Sequence, residues 1–255
     1  MKTALAIRPG LSPERLERRR QGIYASDSPA LFLEPEDVYG ASPATVWAEK
    51  VYPLKPRPST EEMTLGLLME PTLAYFAMHQ LGCDLERDIE INPREGGIMG
   101  ANIDARLLLN RGKVPAEFKF VQEHQAHYWG DPATGGVRES VVIQTHHQMI
   151  VCDTDEAYVF AGIIMGGTMT MATYHVRRDP EIASMIEQET RRFWEEHVLT
   201  KTRPDAWPLS VEIAQRIPRV EGKRVEVPDS IYVNFEAARE ALSAANKEAE
   251  RCKAD

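Results

Sequence analysis

A predicted β-hairpin between Asn102 and Phe120 limits the possible folds of this 255-residue chain more than any other segment. Its sequence, NIDARLLLNRGKVPAEFKF, reads as two strands joined by the turn-forming stretch NRGK. Three charged residues, Asp104, Glu117 and Lys119, lie on these otherwise apolar strands. Because side chains alternate between the two faces of a strand, Glu117 and Lys119 are expected to point to the same face.

The position of the turn determines which charges meet. A turn centred on residues 111–112 predicts that Asp104 lies opposite Lys119, with Glu117 one diagonal step away. Unpaired charges in a half-buried sheet are costly, and a divalent cation offsets that cost by accepting carboxylate oxygens. A neighbouring lysine can then steer a water molecule or stabilise charge on a phosphate. An exposed Asp–Lys–Glu ladder has the same spacing, so the triplet alone leaves both interpretations open.

Composition restricts the class of function. The net charge of −9 argues against a broad basic surface for nucleic acid, although the first 20 residues carry six Lys and Arg against two Glu. Three distant cysteines fit a reduced chain and exclude a four-cysteine zinc or iron–sulfur site within one chain. The N-terminus becomes charged too early for a secretory signal, and no apolar run is long enough to cross a bilayer. We therefore expect a cytoplasmic protein without membrane contact.

Local patterns predict a mixed α/β core to about residue 203 and a tail after it. Ser-Pro pairs mark two helix starts, Pro71 lies inside a longer helix, and Asp179 caps another. The predicted helices occupy residues 12–20, 42–52, 61–81, 138–152, 179–199 and 235–253. The predicted strands occupy residues 85–92, 98–109 and 114–121, together with a pair around residues 166–167. For the tail helix we expect a contact with another subunit or a partner.

Six blocks occur in an order and spacing typical of one family. They are RRRQGIYASDSPALF, SPATVWAEK, GLLMEP, ANIDARLLL, AEFKF and QTHHQMIV. In these blocks, which span about residues 15–165, the chain resembles the YqaJ-like viral recombinases. Those proteins belong with the phage lambda exonuclease in the PD-(D/E)xK nuclease superfamily. The resemblance favours the metal-site interpretation of the hairpin.

The resemblance implies a fold of class α/β (α+β) with a restriction-endonuclease-like core. In such a core a central mixed β-sheet is flanked by helices. The exonuclease domain is expected to cover residues 1–203. Residues 204–255 are expected to form a C-terminal extension with a terminal helix.

The resemblance also assigns catalytic residues. Asp104 matches the acidic residue of the family's first catalytic strand, and Glu117 with Lys119 matches the ExK pair on the next. Mg²⁺, which Mn²⁺ can replace, is expected on Asp104, Glu117, the backbone carbonyl of Phe118 and the helical Glu70. The match at Asp104 is imperfect, because isoleucine precedes it where the family usually has proline.

Further residues are assigned a role in binding substrate. Gln144 matches a glutamine that contacts the attacking water or the scissile phosphate. Arg20 and Ser26 match a pair that grips the 5′-phosphate of DNA, and Arg19 or Arg18 would replace Arg20 if the alignment shifts. Arginine binds phosphate in a bidentate manner, and a serine hydroxyl adds a hydrogen bond.

One departure concerns the segment after the ExK strand. The lambda enzyme has another phosphate-binding arginine there, whereas this chain offers His124 and His127, which can be partly charged near neutral pH. Together with His146 and His147 they raise a zinc hypothesis. The lack of regular four-ligand spacing argues against it.

The implied function is a DNA exonuclease that resects duplex ends in the 5′→3′ direction and leaves 3′ single-stranded overhangs for recombination by strand annealing. Duplex DNA ends, a single-strand annealing protein (RecT/Beta-like) and a homo-oligomer, a trimer by resemblance, are the implied partners. A phage or prophage gene expressed in a bacterial cytoplasm is the implied setting. Two alternatives stay open: a catalytically inactive DNA-end scaffold of the same fold, and an endonuclease or repair nuclease of the same superfamily. A Cas4-like end trimmer would need an iron–sulfur cysteine cluster, and a restriction-type enzyme a larger specificity domain.

Overall fold

The computed structural model describes residues 12–134, 136–205, 209–219, 221–222, 224 and 226–254. The chain divides into two units, Met1–Pro218 and Arg219–Asp255. The first unit therefore extends beyond the expected boundary at residue 203. Two contacts explain the difference: Ile213 is buried in a cluster with Trp47, and the Arg216 guanidinium donates to the Lys55 carbonyl.

Secondary structure follows the predicted order. The helices are α1 (Pro13–Arg19), α2 (Pro43–Val51), α3 (Glu61–Leu81), α4 (Glu139–Cys152), α5 (Pro180–Phe193), α6 (Val211–Arg216) and α7 (Asp229–Ala254). The strands are β1 (Ile23–Tyr24), β2 (Asp84–Ile91), β3 (Met99–Leu109), β4 (Gly112–Val121), β5 (Glu156–Met165) and β6 (Thr168–Arg177). Short 3₁₀ turns connect several of them, and one π-helical turn, Trp194–Val198, continues α5.

The six strands form one mixed sheet, as the resemblance implied. Five of them were predicted from the sequence, and β1 lies in a segment that was predicted to be a loop. Strand β3 pairs with β2 and β4 in antiparallel fashion and with β1 in parallel. Strand β4 then pairs in parallel with β5, and β5 pairs with β6 through a tight hairpin. This architecture is the expected central mixed sheet flanked by helices.

The β3–β4 hairpin corrects the predicted register. Its ladder runs from Leu109–Gly112 to Ala105–Ala116, so the turn is centred on residues 110–111, one residue earlier than predicted. Continuing this register places Asp104 opposite Glu117, and not opposite Lys119. Moving the turn centre by one residue changes the pairing partner of Asp104 by two residues. A change of two residues keeps each side chain on the predicted face.

The two strands separate directly after this ladder. From Ala116 to Val121, strand β4 pairs with β5, and the ladder between β3 and β4 has ended. We call the gap between the two strands beyond Ala105–Ala116 the fork. A fork leaves backbone groups without ladder partners, so other groups must satisfy them.

Helix α3 covers one face of the sheet. Thr60 caps its start, Gly82 ends it in the left-handed conformation (φ +61°), and the helix continues through Pro71 without interruption. Its buried side chains, including Leu73, pack against Phe118 of β4 and the neighbouring strand residue Phe160. Apolar side chains at alternate positions of β4 and β5 thus bury this face.

Helix α4, which the sequence predicted as a helix over residues 138–152, covers the opposite face. Val141 and Met149 of α4 are buried together with Val159 and Ala161 of β5. These two strand residues flank Phe160, which points to α3. The polar side chains of α4 are therefore directed at the same face of β4 that carries Glu117.

The second unit contains α7. This helix begins at Asp229, six residues before the predicted start at residue 235. Several of its apolar side chains, among them Ile231, Phe235 and Leu242, are exposed. No helix in the part of the chain that the structure describes is long and apolar enough to cross a membrane.

Candidate active site

The fork between β3 and β4 carries both predicted strand carboxylates. Asp104 and Glu117 are the first residues beyond the last paired residues, and both are buried. Oδ2 of Asp104 accepts a hydrogen bond from the backbone N–H of Phe118 at 2.9 Å, so a carboxylate replaces the missing ladder partner. The N–H and C=O of a strand residue point to the same edge, which directs the Phe118 carbonyl toward the fork as well.

Glu117 is the centre of a hydrogen-bond network. Its Oε1 accepts from Lys119 Nζ at 2.7 Å and from Gln144 Nε2 at 2.8 Å. Its Oε2 accepts from Gln148 Nε2 at 2.6 Å. Three donors thus fix the orientation of this carboxylate, and only 4% of the residue is exposed.

Lys119 remains a cation in this setting. Burial favours the neutral amine, but the carboxylates of Glu117 and Asp104 outweigh burial and raise the pKa of Lys119 above its usual value. Its ammonium also donates to Oε1 of Gln144 at 3.1 Å. The predicted meeting of two carboxylates, a lysine and a glutamine is thus present in the structure.

Gln148 is a residue of this network to which the sequence analysis gave no role. It lies one helical turn after Gln144, so both side chains project from the same face of α4. The signal was available, because a second glutamine at i+4 is unusual on a helix face that is otherwise buried. Without the strand register, nothing in the sequence showed that this face meets Glu117.

A cavity of about 370 Å³ opens beside the fork. Its wall contains the carboxylates of the fork together with two basic groups and several polar groups. The side chains of this wall include Arg19, Ser26, Tyr39, Asn102, Asp104, Glu117, Lys119 and Gln144. Opposite charges on one wall suit a ligand that carries both anionic groups and a metal ion.

The phosphate-binding pair predicted from the sequence is corrected in one member. Ser26 lines the cavity, and its Oγ accepts from Arg19 Nη2 at 3.0 Å. The guanidinium of Arg20 points elsewhere and donates to Glu17 and to the carbonyls of residues 50 and 51. Arg20 lies at the C-terminal end of α1, where a one-residue change rotates the side chain by about 100°. Arg18 also points away, because it is paired with Glu90.

Buried charges hold Arg19 in place. The carboxylate of Asp27 contacts Arg19 Nη2 at 2.6 Å and Lys50 Nζ at 2.5 Å. Burial raises the pKa of Asp27, but Arg19 and Lys50 outweigh it and lower that pKa to about 2. Lys50 also donates to the backbone carbonyl of Arg19 at 2.9 Å.

Glu70 of α3, the helical residue of the predicted metal set, forms an ion pair with strand β2. Its Oε2 contacts Arg87 Nη2 at 2.9 Å, and both side chains are buried. Arg87 pairs with Ala105, which belongs to the core that faces α3, whereas Glu117 contacts α4. Over residues 12–254, leaving aside the positions that the structure does not describe, no three His, Cys, Asp or Glu side chains are grouped to hold a metal. The role of Glu70 as a third carboxylate of the metal site therefore stays a prediction.

The histidines do not form a zinc site in the described residues. His124 and His127 are exposed on a 3₁₀ turn and do not line the cavity. His146 Nδ1 contacts the carbonyl of residue 142, and its Nε2 accepts from the N–H of residue 179. His147 Nδ1 lies 2.5 Å from Ser28 Oγ, and burial lowers the pKa of His147 to about 4.

Comparison with known proteins identifies the class. The model of the YqaJ-like viral recombinase domain matches residues 14–155, which is more than half of the chain. No curated protein sequence gives a significant match. Among solved structures, the fold is similar to the alkaline exonuclease LHK-Exo from Laribacter hongkongensis, with a TM-score of 0.58 at 14% identity over 75% of this chain and 94% of that one. The same enzyme in complex with dAMP gives 0.57 at 15% identity with equal coverage.

A second organism provides a similar fold. A phage-related exonuclease from Haemophilus somnus 129PT gives a TM-score of 0.53 at 11% identity, over 71% of this chain and 96% of that one. Fold and family define a nuclease with a central mixed β-sheet flanked by helices. The chain belongs to the family of YqaJ-like viral recombinase domains.

Proposed function

We propose that this nuclease is a Mg²⁺-dependent exonuclease that degrades duplex DNA from its ends. The observation that carries the proposal is the fork, where buried Asp104 and Glu117 share one cavity wall with the cationic Lys119. Hydrolysis of a phosphodiester needs an activated water and stabilisation of the charge that grows on the phosphate. The fork offers groups for both requirements.

The donor set suits magnesium. Mg²⁺ prefers oxygen ligands, keeps several waters and commonly uses one or two protein carboxylates together with substrate phosphate. Asp104, Glu117 and the Phe118 carbonyl would hold the ion, and Mn²⁺ would take the same ligands. Bound there, the ion supplies a lowered pKa for water and neutralises phosphate charge.

The protein side chains orient the reaction. Lys119, which stays protonated, is suited to stabilise charge on the phosphate and is not suited to accept a proton. Gln144 accepts from Lys119 and donates to Glu117, so it fixes both groups relative to each other. Gln148 holds the second oxygen of Glu117 and leaves that carboxylate little rotational freedom.

A 5′-phosphate fits the basic end of the cavity. Arg19 is charged and directed by Asp27, while the Ser26 hydroxyl, which accepts from Arg19, can still donate its own hydrogen. The amide nitrogen of Asn102, also in the cavity wall, has no hydrogen-bond partner among the described residues. The complex of the Laribacter enzyme with dAMP, a nucleoside monophosphate, supports this assignment by analogy of fold.

The family resemblance supports a proposal for the direction and setting of the reaction. We propose 5′→3′ resection that leaves 3′ overhangs, with duplex ends as substrate and a single-strand annealing protein (RecT/Beta-like) as functional partner. We also propose a homo-oligomer, a trimer by the same resemblance, in the cytoplasm of a bacterial host that carries the phage or prophage. Membership of the viral recombinase family supports these points.

An end-labelled nuclease assay tests the proposal. Linear duplexes labelled at one 5′ or one 3′ end are incubated with Mg²⁺ or with EDTA, using wild-type protein, Lys119→Ala and the control Lys113→Ala. Lys113 lies on the same strand, is exposed and pairs with Glu86, so it controls for loss of a lysine on β4. We expect stepwise loss of the 5′ strand with Mg²⁺ in wild type and control, and a loss of about 10²-fold or more in Lys119→Ala.

Other outcomes contradict specific parts of the proposal. Binding of DNA ends without any cleavage would favour the inactive scaffold. Cleavage of covalently closed circles would favour an endonuclease. Degradation from 3′ ends would refute the resection direction and leave the site assignment in place.

A further inference from the structure

Tyr39 is exposed where packing does not require a large ring. It lines the same cavity as Lys119, and 65% of it is exposed. Other tyrosines of this unit, such as Tyr24 and Tyr174, are almost fully buried. An exposed aromatic ring in the wall of a polar cavity indicates a ligand with an apolar surface.

The backbone holds the ring in an unfavourable conformation. Tyr39 has φ +57° and ψ +37°, the left-handed region, directly before Gly40 at φ +78°. Bulky residues rarely adopt this conformation, and such strain is concentrated at functional sites. Glycine or asparagine would suit this position better if only the turn mattered.

A buried arginine fixes the orientation of the ring. The guanidinium of Arg138 lies over the ring of Tyr39 at 4.8 Å and over that of Tyr128 at 4.6 Å. Its Nη1 donates to Tyr39 Oη at 3.1 Å, and its Nη2 donates to the Asp37 carbonyl at 2.7 Å. One side of the Tyr39 ring is thus covered by a cation, and the remaining surface is left to the cavity.

We propose that Tyr39 stacks on the nucleobase of the terminal nucleotide that the site binds. The inference rests on the proposed function, because the nucleotide is placed by its phosphate on Arg19, Ser26 and the fork. A nucleobase offers the flat apolar surface that the exposed ring requires. Every base has such a surface, so the contact tolerates any sequence, as an enzyme that degrades DNA from its ends needs.

The stacking contact predicts a defined cost for removing the base. Two 5′-phosphorylated duplexes are compared that differ only in the terminal 5′ nucleotide, which is normal in one and an abasic tetrahydrofuran in the other. We expect wild-type kcat/KM to be about 5- to 150-fold higher on the normal end. Tyr39→Ala should bring this ratio close to 1, and Tyr39→Trp should preserve it.

Tyr75→Ala is the matched control. Tyr75 is 59% exposed on α3 and stacks on His79, but it does not line the cavity. We expect this variant to keep the wild-type ratio. Equal rates of wild type on the two ends, or an unchanged ratio in Tyr39→Ala, would overturn the proposal while leaving the exonuclease assignment intact.

A second measurement does not depend on catalysis. A duplex with 2-aminopurine as its terminal 5′ base is titrated with protein in EDTA, which removes divalent cations. Stacking on Tyr39 should quench the fluorescence in wild type and in Tyr75→Ala, and the quenching should be lost in Tyr39→Ala. Quenching without cleavage under Mg²⁺ would refute the proposed function alone, and absence of quenching in wild type would refute the stacking contact. Thermal melts of each variant separate loss of the ring from loss of folding.

Discussion

Gln148 donates a 2.6 Å hydrogen bond to Oε2 of Glu117 from a side chain that has no exposed surface. The bond joins the middle of α4 to the strand that carries the proposed metal ligand. Because outer hydrogen-bond partners of a ligand determine its orientation, this glutamine is expected to affect metal binding without touching the metal itself.

The first prediction concerns this bond. Gln148→Met should raise the Mg²⁺ concentration needed for half-maximal activity about 10- to 100-fold, since Glu117 loses a donor that orients it. The measurement is a Mg²⁺ titration of the nuclease rate. Gln188→Met, at an exposed glutamine on α5 that bonds to Ser184, should leave the titration unchanged. A variant with a normal Mg²⁺ requirement would show that Gln148 merely fills space.

The second prediction separates two adjacent arginines. Arg19→Gln should remove any preference for 5′-phosphorylated over 5′-hydroxyl ends, because Arg19 lines the cavity and contacts Ser26. Arg20→Gln should retain the preference, since Arg20 is engaged with Glu17 and two carbonyls. The ratio of kcat/KM on the two kinds of end is the measurement. Loss of the preference in Arg20→Gln alone would assign the 5′-phosphate to Arg20 and not to Arg19.

The third prediction concerns the buried ion pair. Asp27→Asn leaves Lys50 without its anionic partner, which should destabilise the fold by about 3–5 kcal/mol. Replacing both residues, as in Asp27→Asn with Lys50→Met, should recover part of that loss. Urea unfolding at pH 7 measures both values. Glu17→Gln, at an exposed carboxylate on Arg20, is the control and should change stability by less than about 1 kcal/mol.

The same pair has a pH signature. The pKa of Asp27 in the folded protein is about 2, below its ordinary value of 3.8. A carboxylate with a lowered pKa stabilises the fold above its ordinary pKa and loses that contribution as the pH falls toward the folded value. The stability difference between wild type and Asp27→Asn should therefore shrink between about pH 4 and pH 2. A difference that stays constant over this range would contradict the assignment.

The fourth prediction concerns His147. Burial lowers its pKa to about 4 from an ordinary value of 6.5, so the folded protein keeps it neutral where the unfolded chain binds a proton. The fold should thus lose stability as the pH falls from about 6.5 to 4, by up to about 1.4 kcal/mol per pH unit from this residue. Unfolding at several pH values measures the slope. His147→Gln should flatten it, and an NMR titration showing His147 protonated at pH 6 would disprove it.

The fifth prediction tests the charge of Lys119. Its pKa is raised, so it should keep its proton and should not shape the pH–rate profile as a general base. Lys119→Gln should lower kcat/KM at every pH and leave the shape of the profile unchanged. Lys119→Arg should retain more activity than Lys119→Gln because it keeps the charge. A limb of the profile that disappears in Lys119→Gln would assign Lys119 the role of base.

Much of the fold was predictable because local signals agreed with it. The predicted helix over residues 61–81 has the observed bounds, since Thr60 and Gly82 are strong caps, and the helix over 138–152 differs by one residue. The hairpin register was wrong by two residues, because NRGK allows more than one turn position. Side-chain alternation survived this error, so the convergence of Asp104, Glu117 and Lys119 was still predicted correctly.

The features that the sequence did not predict concern side-chain direction and partners. Nothing in the sequence indicated that Arg87 would take the carboxylate of Glu70, because the pair joins a helix to a distant strand position. The choice between Arg19 and Arg20 depended on a rotation of one residue at the end of a short helix. The roles of Gln148 and Tyr39 could not be predicted, because they depend on the strand that faces Gln148 and on the cavity that Tyr39 lines.

Asp104 stabilises the fold in addition to its proposed role as a metal ligand, and this affects the choice of an inactive variant. Its carboxylate accepts the Phe118 N–H that the parting strands leave without a ladder partner. Alanine at this position would leave the buried N–H of Phe118 without an acceptor and lower the stability of the fold by about 1–3 kcal/mol. Asparagine would still provide an oxygen that accepts this hydrogen bond. An inactive variant for capturing DNA ends is therefore better made at Lys119. The side chain of Lys119 donates to the side chains of Glu117 and Gln144, so its removal leaves the Phe118 N–H bonded to Asp104.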